Sequence, residues 1–195
     1  MSALLTGFLS AAYLANPEQF HPFFKLKYLE HLGTLLCHGV GGILALGLGP
    51  FLITSKPLDW GGGAPTNQAR GRFHTHLGYL YFTAVMMAGI SGIDLASIAF
   101  GGWVSQAGFL LLAVFWILTA LLAVKAAKSQ EFLKHRQWMS RNYALTFSAV
   151  VLRVILNSSD LAGIDFEVIY PWAAWLSWVP NLILTEVLLR SQWKA

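Results

Sequence analysis

The sequence has few charged residues and a single cysteine. Charged residues make up 11% of the 195 positions, whereas a soluble domain usually carries about 25% to cover its surface. This shortage argues against a water-soluble globular domain. Because Cys37 is alone, the chain can form no intramolecular disulfide and no Cys-x-x-Cys metal or redox motif. The first residues also lack a positively charged region, so we expect no cleaved signal peptide.

Signals for nucleotide or nucleic-acid binding are missing as well. The basic residues lie in several short segments instead of one contiguous patch, which does not favour nucleic-acid binding. The glycine-rich stretch Gly61–Pro65 lacks the lysine and helix start of a phosphate-binding loop, and it predicts a flexible turn. We therefore expect the lipid bilayer as a partner and no nucleic acid.

Long apolar stretches are what the sequence does contain. Hydrophobic residues make up 56% of the chain, and its mean hydropathy is +0.57. A helix that spans a bilayer needs about 20 mostly apolar residues. Five stretches qualify, namely Leu32–Ile53, Leu77–Ala99, Val104–Val124, Met139–Leu156 and Trp172–Leu189. We predict an all-α fold, a polytopic membrane helix bundle of about five transmembrane helices.

The length suits one membrane-embedded helical domain over residues 1–195, with the bundle at 32–190 and an N-terminal interfacial segment at 1–24. The apolar stretch Leu4–Leu14 is short, and Pro17 ends it. We expect a short interfacial or partly inserted helix there, with a sixth span as the alternative.

The charges between the spans predict an orientation. Basic residues follow spans one, three and five, whereas the segment after span four is acidic, with Asp160, Asp165 and Glu167. The positive-inside rule therefore places the basic loops and the C-terminus in the cytoplasm. Lys25 and Lys27 would then lie outside, against the rule.

Histidines and other polar residues recur at helical spacing within three spans. Residues seven apart lie nearly on the same helix face, and small residues mark faces that pack closely in membranes. We therefore expect these histidines to point towards other helices. Span three is interrupted only by Trp116 and Thr119, so we expect it to pack peripherally. The stripes are His31, His38, Gly42, Ala45 and Gly49 in span one; His74, Gly78, Tyr81, Ala88, Gly89 and Gly92 in span two; and His135, Asn142, Thr146, Ala149, Arg153 and Asn157 in span four.

A rise of about 1.5 Å per residue places His38 and Arg153 at similar depths in the outer half of the bilayer. We predict an outer polar pocket that contains both side chains. Asn157 is a further member, and Asp94 could reach the edge of the pocket.

The same calculation predicts a second polar cluster at the inner interface. His74 and His76 begin span two, and His135 begins span four, both on the predicted cytoplasmic side. Glu186 of span five approaches the same level.

Four of these residues are candidates for binding a cofactor. An unpaired Arg153 would cost at least about 2.5–3.5 kcal/mol in the membrane, so it either binds backbone carbonyls or holds an anionic group such as a haem propionate. Neutral imidazole is a good iron ligand, and small residues near His38 leave room for a flat macrocycle. We expect haem b or a metal ion as cofactor, bound by His38, His74, His135 and Arg153, with His74 and His135 as the metal pair. In the alternative interpretation, these side chains only form hydrogen bonds between helices or lie at the solvated boundary.

Three motifs in order carry a resemblance to a known family. They are His38 with the later Gly49–Pro50, the stretch HTHLGYLY that begins at His74, and the stretch HRQWMSRNYALTFSAVVLR that begins at His135. Together they resemble a family of bacterial membrane proteins known as domain of unknown function 2306.

The resemblance covers residues 32–190. It implies a small helical bundle in the bacterial inner membrane, and the family has no assigned activity. Thr75 stands where the family leads us to expect arginine, which puts a basic role at that position in doubt. The arrangement is also loosely similar to transmembrane b-type cytochromes, in which histidines on facing helices hold haem.

We therefore hypothesise a haem- or metal-binding electron-transfer subunit that works with a redox partner subunit or a quinone. His74 and His135 would be inner ligands, His38 an outer ligand, and Arg153 the partner of an anionic cofactor group. One inner haem is easier to defend than two, because His31 and His38 lie two turns apart on one helix. The alternative is an accessory or structural membrane protein, or a small transporter, without cofactor. The sequence shows no nucleophile–base pair and no paired carboxylates, so it does not predict a stand-alone enzyme.

Overall fold

The computed structural model describes residues 30–54 and 68–192. This part of the chain forms seven α-helices and no strand, which confirms the all-α prediction. The predicted helix Leu4–Leu14 lies outside the described residues. The helices are α1 Leu32–Thr54, α2 Gln68–Ser97, α3 Trp103–Lys128, α4 Phe132–Thr146, α5 Ser148–Leu161, α6 Phe166–Leu176 and α7 Val179–Gln192.

Five segments are long and apolar enough to cross a membrane: α1, α2, α3, α4 with α5, and α6 with α7. The first, Leu32–Ile53, agrees with the predicted span residue for residue. The other helices extend beyond the apolar windows, because backbone hydrogen bonding continues where side chains become polar. His74 and His76 therefore lie within α2, close to the start of the span Gly71–Ser97.

The fourth span is interrupted in its middle, between α4 and α5, at Phe147. Just before the break, the Thr146 hydroxyl donates to the carbonyl of Asn142 at 2.9 Å. Hydroxyl groups that bond back to the preceding turn bend helices. This bond is a local feature that could favour an interruption at this point.

The fifth span is interrupted between α6 and α7, where Pro180 follows the break. Proline has no N–H to offer the carbonyl four residues earlier, and its ring crowds that carbonyl. The Trp178 N–H instead bonds to the Trp175 carbonyl, three residues back, at 3.3 Å. The chain thus tightens locally before α7 continues.

The two breaks lie at the same level of the bundle. The side-chain amide of Asn181 donates to the Ser177 carbonyl at 2.9 Å and lies 3.5 Å from the Ala144 carbonyl. One side chain therefore contacts the backbone beside both interruptions. As a result, spans four and five pair in halves, α5 with α6 and α4 with α7.

Helix α3 is central, so the prediction that it packs peripherally is wrong. It contacts α2, α4 and α6, while α1 lies along α2. Its buried face consists largely of alanine and glycine, which are no more apolar than the lipid-facing leucines. The sequence therefore showed no contrast between the two faces. The buried residues are Ser105, Gly108, Ala113, Trp116, Thr119, Ala120, Ala123 and Ala126.

Large apolar side chains cover the outside of the bundle. Phe51, Val154 and Ile183 are all more than half exposed, whereas Ala45 and Ala88 are completely buried. A soluble protein shows the opposite distribution, because exposed apolar area is unfavourable in water. Together with the five apolar spans, this surface establishes a polytopic membrane helix bundle in a lipid bilayer.

The two ends of the bundle differ in charge. At one end α1, α3 and α7 finish and α2 and α4 begin; Lys125, Lys128 and Lys134 lie in or near the α3–α4 connection. We call this end the basic face. The opposite face contains the α2–α3 turn and the acidic α5–α6 connection with Asp160 and Asp165.

Candidate functional site: a polar seam between α2 and α4

Five polar or aromatic side chains form a hydrogen-bonded cluster in the middle of the bundle. The Tyr81 hydroxyl of α2 donates to Asn142 Oδ1 of α4 at 2.7 Å. The Trp116 indole N–H donates to Thr146 Oγ1 at 2.8 Å, and Asn142 Nδ2 donates to Thr119 Oγ1 at 2.8 Å. All five residues are buried. This core cluster joins α2, α3 and α4 where a polar group without a partner would be unfavourable.

The directions of these bonds follow from the chemistry of the groups. Asn142 Nδ2 also donates to the Trp116 carbonyl at 2.7 Å, and a carbonyl only accepts, so the amide orientation is fixed. The Tyr81 hydroxyl lies 3.0 Å from Thr146 Oγ1, whose proton goes to the Asn142 carbonyl. The Tyr81 proton goes to the closer Asn142 Oδ1. No proton therefore lies between the hydroxyl oxygens of Tyr81 and Thr146.

The bond between Tyr81 and Asn142 sets the register of α2 and α4, which run in the same direction. His74 precedes Tyr81 by seven residues, and His135 precedes Asn142 by seven. Seven residues make nearly two turns, so each histidine lies on the same face as its partner, about 10 Å nearer the basic face. The fold therefore places His74 and His135 on corresponding positions of two neighbouring helices.

The ring of His135 is held by α3. Its Nδ1 lies 2.8 Å from the Ala123 carbonyl, and because a carbonyl only accepts, Nδ1 carries the hydrogen. The lone pair then belongs to Nε2. His135 and His74 are both half-buried. Among residues 30–54 and 68–192, no three His, Cys, Asp or Glu side chains gather to hold a metal ion, and metal binding by the His74–His135 pair stays a prediction.

The outer end of the seam lies seven residues further along both helices. There the Ala88 carbonyl of α2 accepts from His38 Nδ1, and the Ala149 carbonyl accepts from Arg153 Nη1, both at 2.8 Å. The His38 ring packs on Gly92, where an added Cβ would lie 3.3 Å from it. His38 and Arg153 thus both bond to backbone carbonyls at this end of the seam. That they share one pocket stays a prediction.

Other members of the predicted clusters lie elsewhere. Asp94 pairs with His31 at 3.2 Å, and Asn157 is exposed, so neither is seen to join His38. Glu186 accepts two bonds from the guanidinium of Arg141, from Nε to Oε1 and from Nη2 to Oε2 at 3.0 Å. Its carboxylate fastens α7 to α4.

The Gly49–Pro50 motif is a contact point between α1 and α4. Proline leaves the Leu46 carbonyl, four residues earlier, without its usual backbone partner. The Tyr143 hydroxyl donates to this carbonyl at 3.4 Å. Gly49 lies directly under the Tyr143 ring, which a side chain at that position would meet. Sequence reasoning did not predict this contact, although the proline itself pointed to an unpaired carbonyl.

The motifs noticed in the sequence thus coincide with the seam and its attachment to α1. The pattern of one family, described as predicted membrane protein (DUF2306), matches residues 35–189. The chain belongs to the DUF2306 family. No curated protein and no solved structure matches it significantly. The DUF2306 match covers most of the described helices, and it supports neither the looser similarity to b-type cytochromes nor any activity.

Proposed function

We propose that this DUF2306 protein is a membrane-embedded electron-transfer subunit that holds one b-type haem between His74 and His135. The observation that carries the proposal is the register of α2 and α4. Tyr81 and Asn142 touch, and the two histidines lie seven residues before them on the same faces. Histidines at one level on parallel helices are suitably placed to bind opposite sides of one iron.

The hydrogen bonding of His135 supports a role as a ligand. Histidines that bind metals usually donate their other ring N–H to a carboxylate or backbone carbonyl, which fixes the tautomer and the ring orientation. His135 Nδ1 donates in this way to the Ala123 carbonyl. Its Nε2 would then face the cofactor with a lone pair.

The cofactor would lie between α2 and α4, which the long Tyr81 side chain bridges at the core cluster. Arg72, near the start of α2 at the basic face, offers a cation for a propionate of a haem. The haem would supply one-electron chemistry; the protein would hold and orient it.

The outer pair has a related role in this proposal. His38 and Arg153 line the other end of the same seam, and Arg153 would hold an anionic group of a cofactor or a quinone partner. By the positive-inside rule, we place the basic face in the cytoplasm and the protein in a bacterial inner membrane.

A structural role is the second candidate, and one observation favours it. His38 and His135 both donate to carbonyls of neighbouring helices at 2.8 Å, which is what histidines that only join helices would do. In that case the protein is an accessory or structural bundle, or a small transporter, without a cofactor.

Absorption spectroscopy and metal analysis on the detergent-purified protein separate the two candidates. We expect a Soret band in the wild type, and its loss in His74→Gln and in His135→Gln while circular dichroism shows intact helices. His76→Gln is the matched control, because His76 is exposed on α2 and bonds only within its helix, to the Arg72 carbonyl. A wild-type protein without haem or metal, purified beside a cytochrome that keeps its haem, would refute the redox role and favour the structural one.

A further inference from the structure

A cleft of about 260 Å³ lies between α1, α4 and α7 in the half of the bundle nearer the basic face. Apolar and polar side chains both line it: Ile53, Leu188 and Leu189, with Arg136, Ser140 and Thr185.

Two side-chain contacts fix the walls of this cleft. Tyr143, which also lines it, bonds to the Leu46 carbonyl and packs over Gly49, and so fastens α1 to α4. Arg141 binds Glu186 with two hydrogen bonds and fastens α7 to α4. Both α1 and α7 are thus attached to α4, and the cleft exists before a ligand binds.

A cation and apolar side chains lie side by side in the cleft, near the basic face. Arg136 is in the first two turns of α4 at the basic face and is exposed. Arg136 forms no ion pair with another described side chain, whereas neighbouring Lys134 pairs with Glu131 at 2.7 Å. Ile53 and Leu188 are about half exposed on the lipid-facing surface. The cleft therefore offers a cation to an anionic group and, beside it, an apolar surface to hydrocarbon.

We propose that this cleft binds one anionic phospholipid. The phosphate contacts the guanidinium of Arg136, and a segment of an acyl chain lies along Ile53, Leu188 and Leu189. Charge complementarity selects an anionic headgroup, and the opening towards the bilayer admits a chain that remains attached to it. The site is separate from the seam, so the proposal does not depend on haem binding.

Native mass spectrometry and thermal unfolding of the full chain in a neutral detergent test the proposal. The probes are phosphatidylglycerol, phosphatidylcholine and inorganic phosphate. We expect phosphatidylglycerol to bind and to raise the unfolding temperature more than phosphatidylcholine does, and inorganic phosphate to have no effect. One Lys or Arg near an anionic surface is worth about a fivefold change in affinity, so Arg136→Gln should lower phosphatidylglycerol binding by about that factor.

Lys134→Gln is the matched control, because it removes the same charge from the same helix outside the cleft. It should leave binding unchanged. A second variant, Leu188→Trp, fills the cleft without changing the charge and should also reduce binding. Equal binding of the two lipids, equal losses in Arg136→Gln and Lys134→Gln, or equal stabilisation by inorganic phosphate would each overturn the proposal.

Discussion

The hydroxyl protons of Tyr81 and Thr146 in the core cluster lead to a quantitative prediction. Tyr81 contacts both Asn142 Oδ1 and Thr146 Oγ1, at 2.7 and 3.0 Å, and the Thr146 proton is given to the Asn142 carbonyl. Only the contact with Asn142 is then a true hydrogen bond of Tyr81. Replacing Tyr81 by phenylalanine should remove one hydrogen bond and not two.

Hydrogen bonds between membrane helices contribute on average about 0.6 kcal/mol, and at most about 1.7 kcal/mol, in double-mutant cycles. We expect Tyr81→Phe and Asn142→Leu to be coupled by an energy in that range. Tyr81→Phe and Thr146→Val should show a smaller coupling energy than the first pair, because no hydrogen bond joins their hydroxyl groups. Thr146→Val also removes the hydroxyl that accepts from the Trp116 indole. This loss is the same whether or not Tyr81 is replaced, so it cancels in the second cycle.

Both cycles can be measured by unfolding in mixed micelles of mild detergent and dodecyl sulfate, followed by tryptophan fluorescence and circular dichroism. Tyr79→Phe is the control, because the Tyr79 side chain is 55% exposed on the same helix, and it should not change stability. A coupling energy between Tyr81 and Thr146 as large as that between Tyr81 and Asn142 would refute the proton assignment.

Three further predictions concern the attachments of the helices and their orientation. Gly49→Ala should destabilise the bundle by about 1–3 kcal/mol through overpacking against Tyr143. Gly47→Ala is the control; it has open space around it and should be neutral or stabilising by about 0.5–1 kcal/mol. Chemical unfolding measures both variants, and equal effects would contradict the contact between Gly49 and Tyr143. Arg141→Gln should lower stability by about 1 kcal/mol, because it breaks the partly exposed pair with Glu186; a double-mutant cycle with Glu186→Gln should show the coupling, and additive losses would argue against it. A fluorescent protein fused to the C-terminus should fluoresce and an alkaline phosphatase fusion should be inactive, as expected if the basic face is cytoplasmic; the reverse pattern would invert the topology.

Hydropathy predicted the number of spans because lipid exposure demands an apolar surface along the whole length of a helix. The same demand hid the role of α3. Its buried face is marked by small residues such as Ala120 and Ala123, and its lipid face by leucines, so both faces are equally apolar. Only the polar groups of Trp116 and Thr119 indicated burial, since each needs a partner inside a membrane.

Part of the candidate site was also visible in the sequence. Helical spacing and depth alone placed His38 and Arg153 at one level, and in the fold both bond to backbone carbonyls at the end of the seam away from the basic face. The same reasoning placed Glu186 near the inner histidines, but its carboxylate binds Arg141. Spacing along a helix fixes a face and a depth, and it does not decide which of several groups at one level will pair.

The two helix interruptions also differ in how well the sequence signals them. The missing N–H of Pro180 is a sequence signal for the break in the fifth span, although the sequence prediction did not use it. The break at Phe147 has no comparable signal, because the bond from Thr146 to its own helix is one that many threonines make without effect.

The matching breaks in the fourth and fifth spans divide this side of the protein into two layers. The layer near the basic face is cross-linked by Arg141 and Glu186, whereas the other consists of α5 packed on α6. When the bilayer becomes thinner, a helical protein must tilt or bend to keep its apolar surface covered. Here the bending can occur at the plane beside Asn181, so the layer with α5 and α6 can adjust while the inner histidines keep their positions.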